Sequence, residues 1–574
     1  MRGFFRPLAA LLALCGAAAS AQAQQASLTA AEVNRIVSQA AAEAQRVGLS
    51  AHIAVTDQFG NLLGLFRMNG APCATVINPS DPPVRPLGGT LGQGLERIAV
   101  ATELVAISKA GSGAFLSSGS SVVGNAFSTR TASFIVQEHF PPNIDFTAGG
   151  PLFGVQFSSL ICTDFKRIGE RVPLGLSGDP GGLPIYKNGV LVGGIGVEGD
   201  GGYGQDSDPT SLDDPGDAVR EEQAALAGTR GFEVPELIRA NRILADGIRF
   251  TYVNVQMPSS GGASLPGQYA FGPRDGLADK NQPTTQGGVT GQRDPRFPTR
   301  GSSLPGANRL TAADVDRILS QAAQQTTRTR AAIRQPLGSN TRVSITVVDT
   351  DGSVLGFFQN AEAPNFGIDV SAQKARTANF FSSPGAGDIL RAAGLGRYIR
   401  DGIPLDGSVA FTSRAVGFLA QPLYPPGIEN TQEGPFSRPF PNEEWSIFNT
   451  GLQVDLIAPT IKAILASIPP VCSFNPAALL AAGDNGLPRC AAGLPQPIPQ
   501  LPNGITIFPG GVPLYKNGAL VGAIGISGDG VDQDDLISWA GSIGFEAPVE
   551  RRCDQLVIRD TRLPYVKFPR HPEL

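Results

Sequence analysis

Residues Gly181–Gly201 read GGLPIYKNGVLVGGIGVEGDG, and Gly510–Gly530 read GGVPLYKNGALVGAIGISGDG, identical at 15 of 21 positions. In each stretch an Asn-Gly pair, Asn188-Gly189 or Asn517-Gly518, supplies the two positive φ angles of a tight hairpin turn. The flanking runs, Pro184–Lys187 with Val190–Val192 and their counterparts, therefore read as antiparallel strands. Gly194, Gly196 and Gly199 also spell GxGxxG, but a dinucleotide fingerprint lies between a strand and a helix of a βαβ unit. These glycines continue a hairpin strand, and Ala523 replaces the first of them in the second stretch. They read as a bulge, or as a place where a helix or a flat ligand approaches the strand closely.

Three further blocks repeat in the same order. Leu28–Ala41 matches Leu310–Ala323 at 11 of 14 positions, Val55–Gly64 matches Val347–Gly356, and Ala126–Arg130 with Phe140–Pro142 matches Ala410–Arg414 with Tyr424–Pro426. The chain is thus two copies of one unit. The offset between copies grows from 282 at the first block to 329 at the glycine-rich block, then falls to 313 at Gly231-Phe-Glu-Val-Pro235 against Gly544-Phe-Glu-Ala-Pro548. Insertions fall between shared blocks, chiefly Pro435–Pro509 in copy 2 and Tyr203–Asp217 in copy 1, as surface loops on a common scaffold do.

Each copy opens with a capped helix. Thr29 with Glu32, and Thr311 with Asp314, form capping boxes, and Leu28–Val33 and Leu310–Val315 can staple the ends. A hairpin follows around Asp57-Gln-Phe-Gly60, then a variable helical middle, the Asn-Gly hairpin, and a helix from about Ala218 to Ala227 or Asp532 to Ala540. This order predicts an α+β fold: two homologous domains, each an antiparallel sheet flanked by helices, with long Gly/Pro-rich loops. The domain boundaries are 24–257 and 308–574, the latter with a Pro-rich insertion at about 435–509. Residues 258–307, rich in Gly, Pro, Ser, Thr and Gln without periodicity, read as a linker.

The 574 residues carry 45 Lys+Arg against 50 Asp+Glu, a balance that offers no nucleic-acid surface. Residues 1–23 read as a signal peptide, with Arg2 and Arg6 ahead of the apolar run Leu8–Ala19 and a small-x-small site at Ala21-Gln-Ala23. Export to the periplasm or the extracellular space is the expectation, and no later apolar run is long enough for a membrane span. In an oxidising compartment Cys472 is expected to pair with Cys490, which closes the same Pro-rich stretch, and Cys73 with Cys162, leaving Cys553 over. No cysteine spacing fits a zinc finger or covalent haem attachment.

The acidic group Asp200, Asp206, Asp208, Asp213, Asp214 and Asp217 could hold calcium but fits no EF-hand spacing and reads as a solvated loop, and copy 2 has only Asp529, Asp532, Asp534 and Asp535. Asp57 and Asp349 read as turn caps. The three histidines, His52, His139 and His571, do not recur between copies, and no GxSxG, HExxH or P-loop is present. No paired catalytic constellation emerges, which argues against an enzyme.

The repeated blocks resemble the GlcG/HbpS-like family of haem-associated proteins, related to the C-terminal domain of PduO. The resemblance rests on the opening Leu-Thr-Ala-Ala helix, on Val347-Val-Asp-Thr-Asp-Gly352, on Gln373-Lys-Ala-Arg-Thr-Ala378 and above all on the Gly-Gly-x-Pro-x-Tyr-Lys-Asn-Gly block. It implies small antiparallel sheets flanked by helices, assembly into oligomers and a haem-binding role. Copy 1 departs from the pattern, with Lys109-Ala-Gly-Ser112 where copy 2 has Lys374-Ala-Arg-Thr377.

The resemblance makes Lys109, Lys374 and Arg376 candidates for haem propionates, with a solvated helix face as the alternative. Arg130 and Arg414, each after Ala-Phe, suit either an anionic planar ligand or a buried carboxylate. His139 is the candidate iron ligand in copy 1, where copy 2 has Leu423, with a surface or partly buried histidine as the alternative. Three functions follow as expectations: an exported haem-binding protein for storage, delivery or sensing; a haem-free scaffold contacting a protein partner; and an enzyme acting on a tetrapyrrole or small hydroxy acid.

Overall fold

The computed structural model describes residues 26–568, apart from 78–94, 137–153, 205–218, 438–450 and 473–497 and positions 96, 121, 161–162, 168–169, 246–247, 260, 422, 427, 429–430, 467, 469 and 471. Residues 1–23 and His139, His571, Cys162 and Cys490 lie outside the described residues, as do Asp206, Asp208, Asp213, Asp214 and Asp217.

Copy 1 begins with α1 (Ala30–Arg46), where Thr29 accepts from the Glu32 amide and the Glu32 carboxylate returns the bond to the Thr29 amide. Its apolar stripe, Val33, Ile36, Val37 and Ala40, is fully buried. The remaining elements are β1 (His52–Asp57), β2 (Leu62–Met68), α2 (Thr102–Phe115), α3 (Thr129–Val136), β3 (Gly182–Lys187), β4 (Val190–Glu198) and α4 (Val219–Gly228). The intervening tract contributes β5 (Gly267–Phe271), β6 (Gln282–Gln286) and β7 (Val289–Arg293). Copy 2 repeats the plan with α5 (Ala312–Thr326), β8 (Val343–Val348), β9 (Val354–Asn360), α6 (Phe366–Phe381), α7 (Ser413–Leu419), α8 (Leu452–Ala466), β10 (Gly511–Lys516), β11 (Ala519–Gly528) and α9 (Val531–Ser542).

Both sheets are antiparallel, in the order β5-β2-β1-β4-β3 for copy 1 and β6-β7-β9-β8-β11-β10 for copy 2. The fold is α+β. The Asn-Gly turns have φ of 52° and 78° in copy 1 and 52° and 75° in copy 2, as a hairpin turn of this type requires. In each copy the first and last helices pack together on one sheet face, while α2 or α6 covers the other. Every residue of α2 is buried. A Cβ on Gly194 or Gly196 would run into the carbonyls of Ala110 or Ala106, and one on Gly525 into Ser371. The glycines of the GxGxxG-like run therefore bring a helix backbone onto the strand and leave no room there for a flat ligand.

Three features depart from the sequence reading. The tract 258–307 does more than link, because β5 extends the copy 1 sheet and β6–β7 extend the copy 2 sheet. Its Gly, Pro and Thr content hides the strands, since edge strands bury too little to show alternation. Second, the variable middles lie over the central helices: the Leu174 and Ser177 amides donate to Ser108 and Ser112 of α2, and Gln373 of α6 donates to the Phe157 and Asn503 carbonyls. Third, Cys73 is disulfide-bonded to Cys472, 399 residues away, in place of the expected Cys73–Cys162 and Cys472–Cys490 pairs. The copy 2 insertion crosses to copy 1 through α8, so proximity in space and not in sequence selects the partner. Cys553 is free and buried.

One apolar cluster spans the copies, in which Phe66, Leu104, Phe115 and Leu183 belong with Phe381, Phe411 and Ile457, while Leu310, Val315, Val343 and Ile524 form a separate cluster within copy 2. Phe165 of copy 1 stacks on Phe297 at 4.7 Å and meets Phe357 edge-on at 5.1 Å. Among the described residues no helix is long and apolar enough to cross a membrane.

Gly196→Val is expected to cost about 1–3 kcal/mol by overpacking and to lower the circular-dichroism thermal midpoint by several degrees. Gly272→Val, at a site where an added Cβ meets nothing within 4 Å, should leave the midpoint unchanged.

Candidate functional site

Four of the candidate ligand-binding cations, Lys109, Arg130, Lys374 and Arg414, lie at the junction of the central helix, the Gly-Gly start of the hairpin and the last helix. Lys109 on α2 is fully buried; its Nζ touches the carboxylates of Glu221 on α4, Glu198 at 2.8 Å and Asp179 at 3.2 Å. Arg130 on α3 is equally buried and donates from Nε to Glu222 at 2.7 Å. In copy 2, Lys374 on α6 donates to Asp534 at 2.7 Å, and Arg414 on α7 holds Asp535 and, at 2.5 Å, Asp532. Arg376 makes a two-pronged contact across the copies with Asp164, both bonds 2.7 Å. None of these side chains forms a solvated helix face, and each has its charge met by a protein carboxylate.

The glycines that begin the hairpin explain the proximity. Gly181 and Gly510 have φ of 112° and 111°, and an added Cβ there would press on Glu221 and Lys109, or on Asp534 and Lys374. The next residues, Gly182 and Gly511, donate to Thr129 at 2.9 Å and Ser413 at 2.7 Å, which anchors α3 or α7 to the strand. Asp534 and Asp535 lie on the expected helix, α9, and are buried there. Sequence reasoning missed Glu221 and Glu222 altogether. The available signal was duplication, because the adjacent acidic pair recurs at the same offset as the following Gly-Phe-Glu block.

Copy 1 is the more charged of the two. At one lattice point of its sheet His52 pairs in register with Arg67 and Glu198, where copy 2 has Ser344, Gln359 and Ser527. His52 donates from Nε2 to the Pro72 carbonyl at 2.8 Å, and its Nδ1 lies 3.6 Å from Glu103, which Arg67 contacts at 2.5 Å. Burial holds His52 below the ordinary histidine value against the pull of Glu103, so the ring is neutral. Glu198 also accepts from Thr75 at 3.0 Å, which joins this group to Lys109.

Electrostatics follow from burial. Desolvation would lower Lys109, yet three facing carboxylates hold it well above its ordinary value. Burial pushes Glu198 up to about 8 and Asp179 and Glu221 well above the carboxylate range, each against Lys109. One ammonium cannot neutralise three ionised carboxylates, so the group retains protons near neutral pH. In copy 2 burial pushes Asp534 up to about 7 and lowers Lys374. The Asp179, Glu198 and Glu221 oxygens lie within 4.8 Å of one another, a spacing suited to a metal ion. Lys109 already touches all three and supplies the positive charge there.

Asp57 caps its turn, accepting at 2.9 Å from the Phe59 and Asn61 amides, and Asp349 accepts from the Thr350 amide at 2.8 Å. The described residues do not fit haem at the expected positions. Propionates need uncommitted cations and iron needs an axial donor, whereas Lys109, Lys374, Arg130, Arg414 and Arg376 are paired internally and His52 is enclosed between Pro72 and Glu103.

A family model described as haem degrading protein HbpS-like matches residues 478–542, which include β10, β11 and α9 with Asp534 and Asp535. No curated protein matches the chain. Among solved structures, it is similar to the Klebsiella pneumoniae protein ORFY of family DUF336, with 18% identity over 37% of this chain and 94% of that one and a TM-score of 0.21. It is similar to a PduOC:haem complex, with 14% identity over 36% and 97% and a TM-score of 0.21. A double mutant of Streptomyces reticuli HbpS gives 17% identity over 41% and 97% and a TM-score of 0.18. The family match supports the GlcG/HbpS-like family, on a segment confined to copy 2.

Two outcomes are expected. Arg130→Met should cost about 3–5 kcal/mol because Glu222 is left buried and unpaired, while Arg130→Met with Glu222→Leu should recover most of it; denaturant midpoints of the four proteins of the cycle check this. Glu198 has a folded value above its unfolded 4.5, so its contribution to stability is full below about 4.5 and is lost as pH rises through about 8. Thermal midpoints at pH 5, 7 and 9 should therefore fall by the equivalent of a few kcal/mol, with a shallower slope in Glu198→Gln.

Proposed function

We propose that the chain is an exported haem-binding protein used for haem storage, delivery or sensing, with a single site on the copy 1 side that takes its iron ligand from His139. The observation that carries this reading is the HbpS-like match at residues 478–542, whose family description concerns haem. The asymmetry of the copies supports one site over two: His139 has Leu423 as its counterpart, and His52 has Ser344. The buried cations act as structural pairs in this reading, and haem contacts come from elsewhere in copy 1.

A second reading is favoured by one observation, the internal pairing of every candidate cation. In that reading the duplicated unit is a haem-free scaffold for a protein partner. Titration of haemin into the chain lacking residues 1–23 separates the two. The expected result is a saturable Soret band at one equivalent, with affinity reduced at least about tenfold in His139→Ala, in line with loss of an axial ligand. Absence of saturation overturns the haem reading and leaves the scaffold. Saturation that is indifferent to His139→Ala overturns the assignment of the ligand.

A further inference from the structure

The disulfide that joins the copies sits beside the buried polar group of copy 1. Cys73 precedes the short strand Ala74–Ile77, and its bonded partner Cys472 follows α8 of the copy 2 insertion. Both ends of the bond are wired into that group. The Pro72 carbonyl, next to Cys73, accepts from His52; the Cys73 carbonyl accepts from the Thr102 amide, next to Glu103; and the Cys472 carbonyl accepts from Arg67. Arg67 in turn holds Glu103, which faces His52.

Three polar atoms in this group have no hydrogen-bond partner: His52 Nδ1, Glu103 Oε2 and Arg67 Nε. His52 and Glu103 are wholly buried, so water cannot satisfy them while the cover is in place. The charged and titratable groups around His52 are Glu103 from α2, Arg67 from β2 and Glu198 from β4, the last held by Lys109. Copy 2 has no equivalent, since Ser344, Gln359 and Ile368 occupy the corresponding places of His52, Arg67 and Glu103.

We propose that the Cys73–Cys472 disulfide is a redox clasp: its reduction releases the α8 end of the copy 2 insertion from the copy 1 sheet and admits water and a proton to the His52–Glu103–Arg67 group beside it. The reductant is a dithiol. Its thiolate attacks one sulfur, a mixed disulfide forms and resolves, and two cysteine thiols are produced as the dithiol closes to its own disulfide, a two-electron, two-proton exchange. With the Cys472 carbonyl gone, Arg67 turns to solvent, Glu103 loses its partner, and a hydrated His52 takes up the proton that burial had excluded. The device is independent of haem and works whether or not the chain binds it.

The test uses the full chain before and after treatment with a dithiol, with peptide mass mapping to show that the Cys73–Cys472 bond has opened. Histidine C2-hydrogen exchange against pH reports the titration of His52, and amide exchange reports α8. In the oxidised chain His52 should titrate below the ordinary value of 6.5. On reduction its midpoint should rise toward 6.5, and amide protection over 452–466 should fall at least tenfold. The Cys73→Ser/Cys472→Ser variant should behave like the reduced chain with or without dithiol, while Cys553→Ser should retain the response. An opened bond with unchanged His52 titration and unchanged α8 protection overturns the proposal. Because the wild-type comparison needs no substitution, it stands even where the double variant does not fold.

Discussion

The burial of ammonium and guanidinium groups against carboxylates is the constraint on which the rest of the structure depends. Taking Lys109 or Arg130 out of water is costly unless a carboxylate meets it with good geometry. That requirement joins elements that are remote in sequence: α2 to α4 through Lys109 and Glu221, and α3 to α4 through Arg130 and Glu222. The same ties recur as Lys374–Asp534 and Arg414–Asp535. They can form only if the hairpin starts with glycines small enough to admit them, and only if the last helix begins with two adjacent acids. The glycines that open the hairpin and the acidic pair are thus parts of one device, although 40 residues separate Gly181 from Glu221 and 24 separate Gly510 from Asp534.

Much of this architecture was legible because the chain is written twice. The caps at Thr29 and Thr311, the Asn-Gly turns and the first and last helices of each copy all have local causes, so a local reading finds them. A buried carboxylate was one of two readings for Arg130 and Arg414, but which acids meet Lys109, Arg130, Lys374 and Arg414 was beyond a local reading. Their partners lie on elements placed by tertiary packing, and a cation on a helix looks the same in sequence whether it faces water or a buried acid. The disulfide was misread for a related reason, since the insertion carrying Cys472 crosses to the other copy. The strands of the connecting tract were missed because their side chains are mostly half-buried or exposed and carry no apolar alternation.

The two copies have diverged in what they bury. Copy 1 places His52, Arg67, Glu103 and Glu198 between sheet and helix, whereas copy 2 fills the corresponding layer with Ser344, Gln359, Ile368 and Ser527. A duplicated unit that kept two working sites would be expected to keep the same titratable groups in both. The retained elements are the structural pairs, and the differences fall on groups that bind protons. This pattern is consistent with one half having taken up a specialised role on a scaffold supplied by both.

The strands of the connecting tract also determine which sheet edges are left outermost. An unpaired sheet edge is a template for another chain, and proteins guard such edges with cover strands, charges or proline. Here β5 covers the outer side of β2, and β7 covers β9, so one margin of each sheet is occupied by the chain's own connector. The opposite margins are β3 and β10, and each carries a proline, Pro184 or Pro513, which withholds an amide from any incoming strand. Their Tyr186 and Tyr515 amides are already donated to the Phe232 and Phe545 carbonyls. The outermost strands are thus β5 and β3 in copy 1 and β6 and β10 in copy 2, and on β3 and β10 an incoming strand meets a proline and an amide that is already committed.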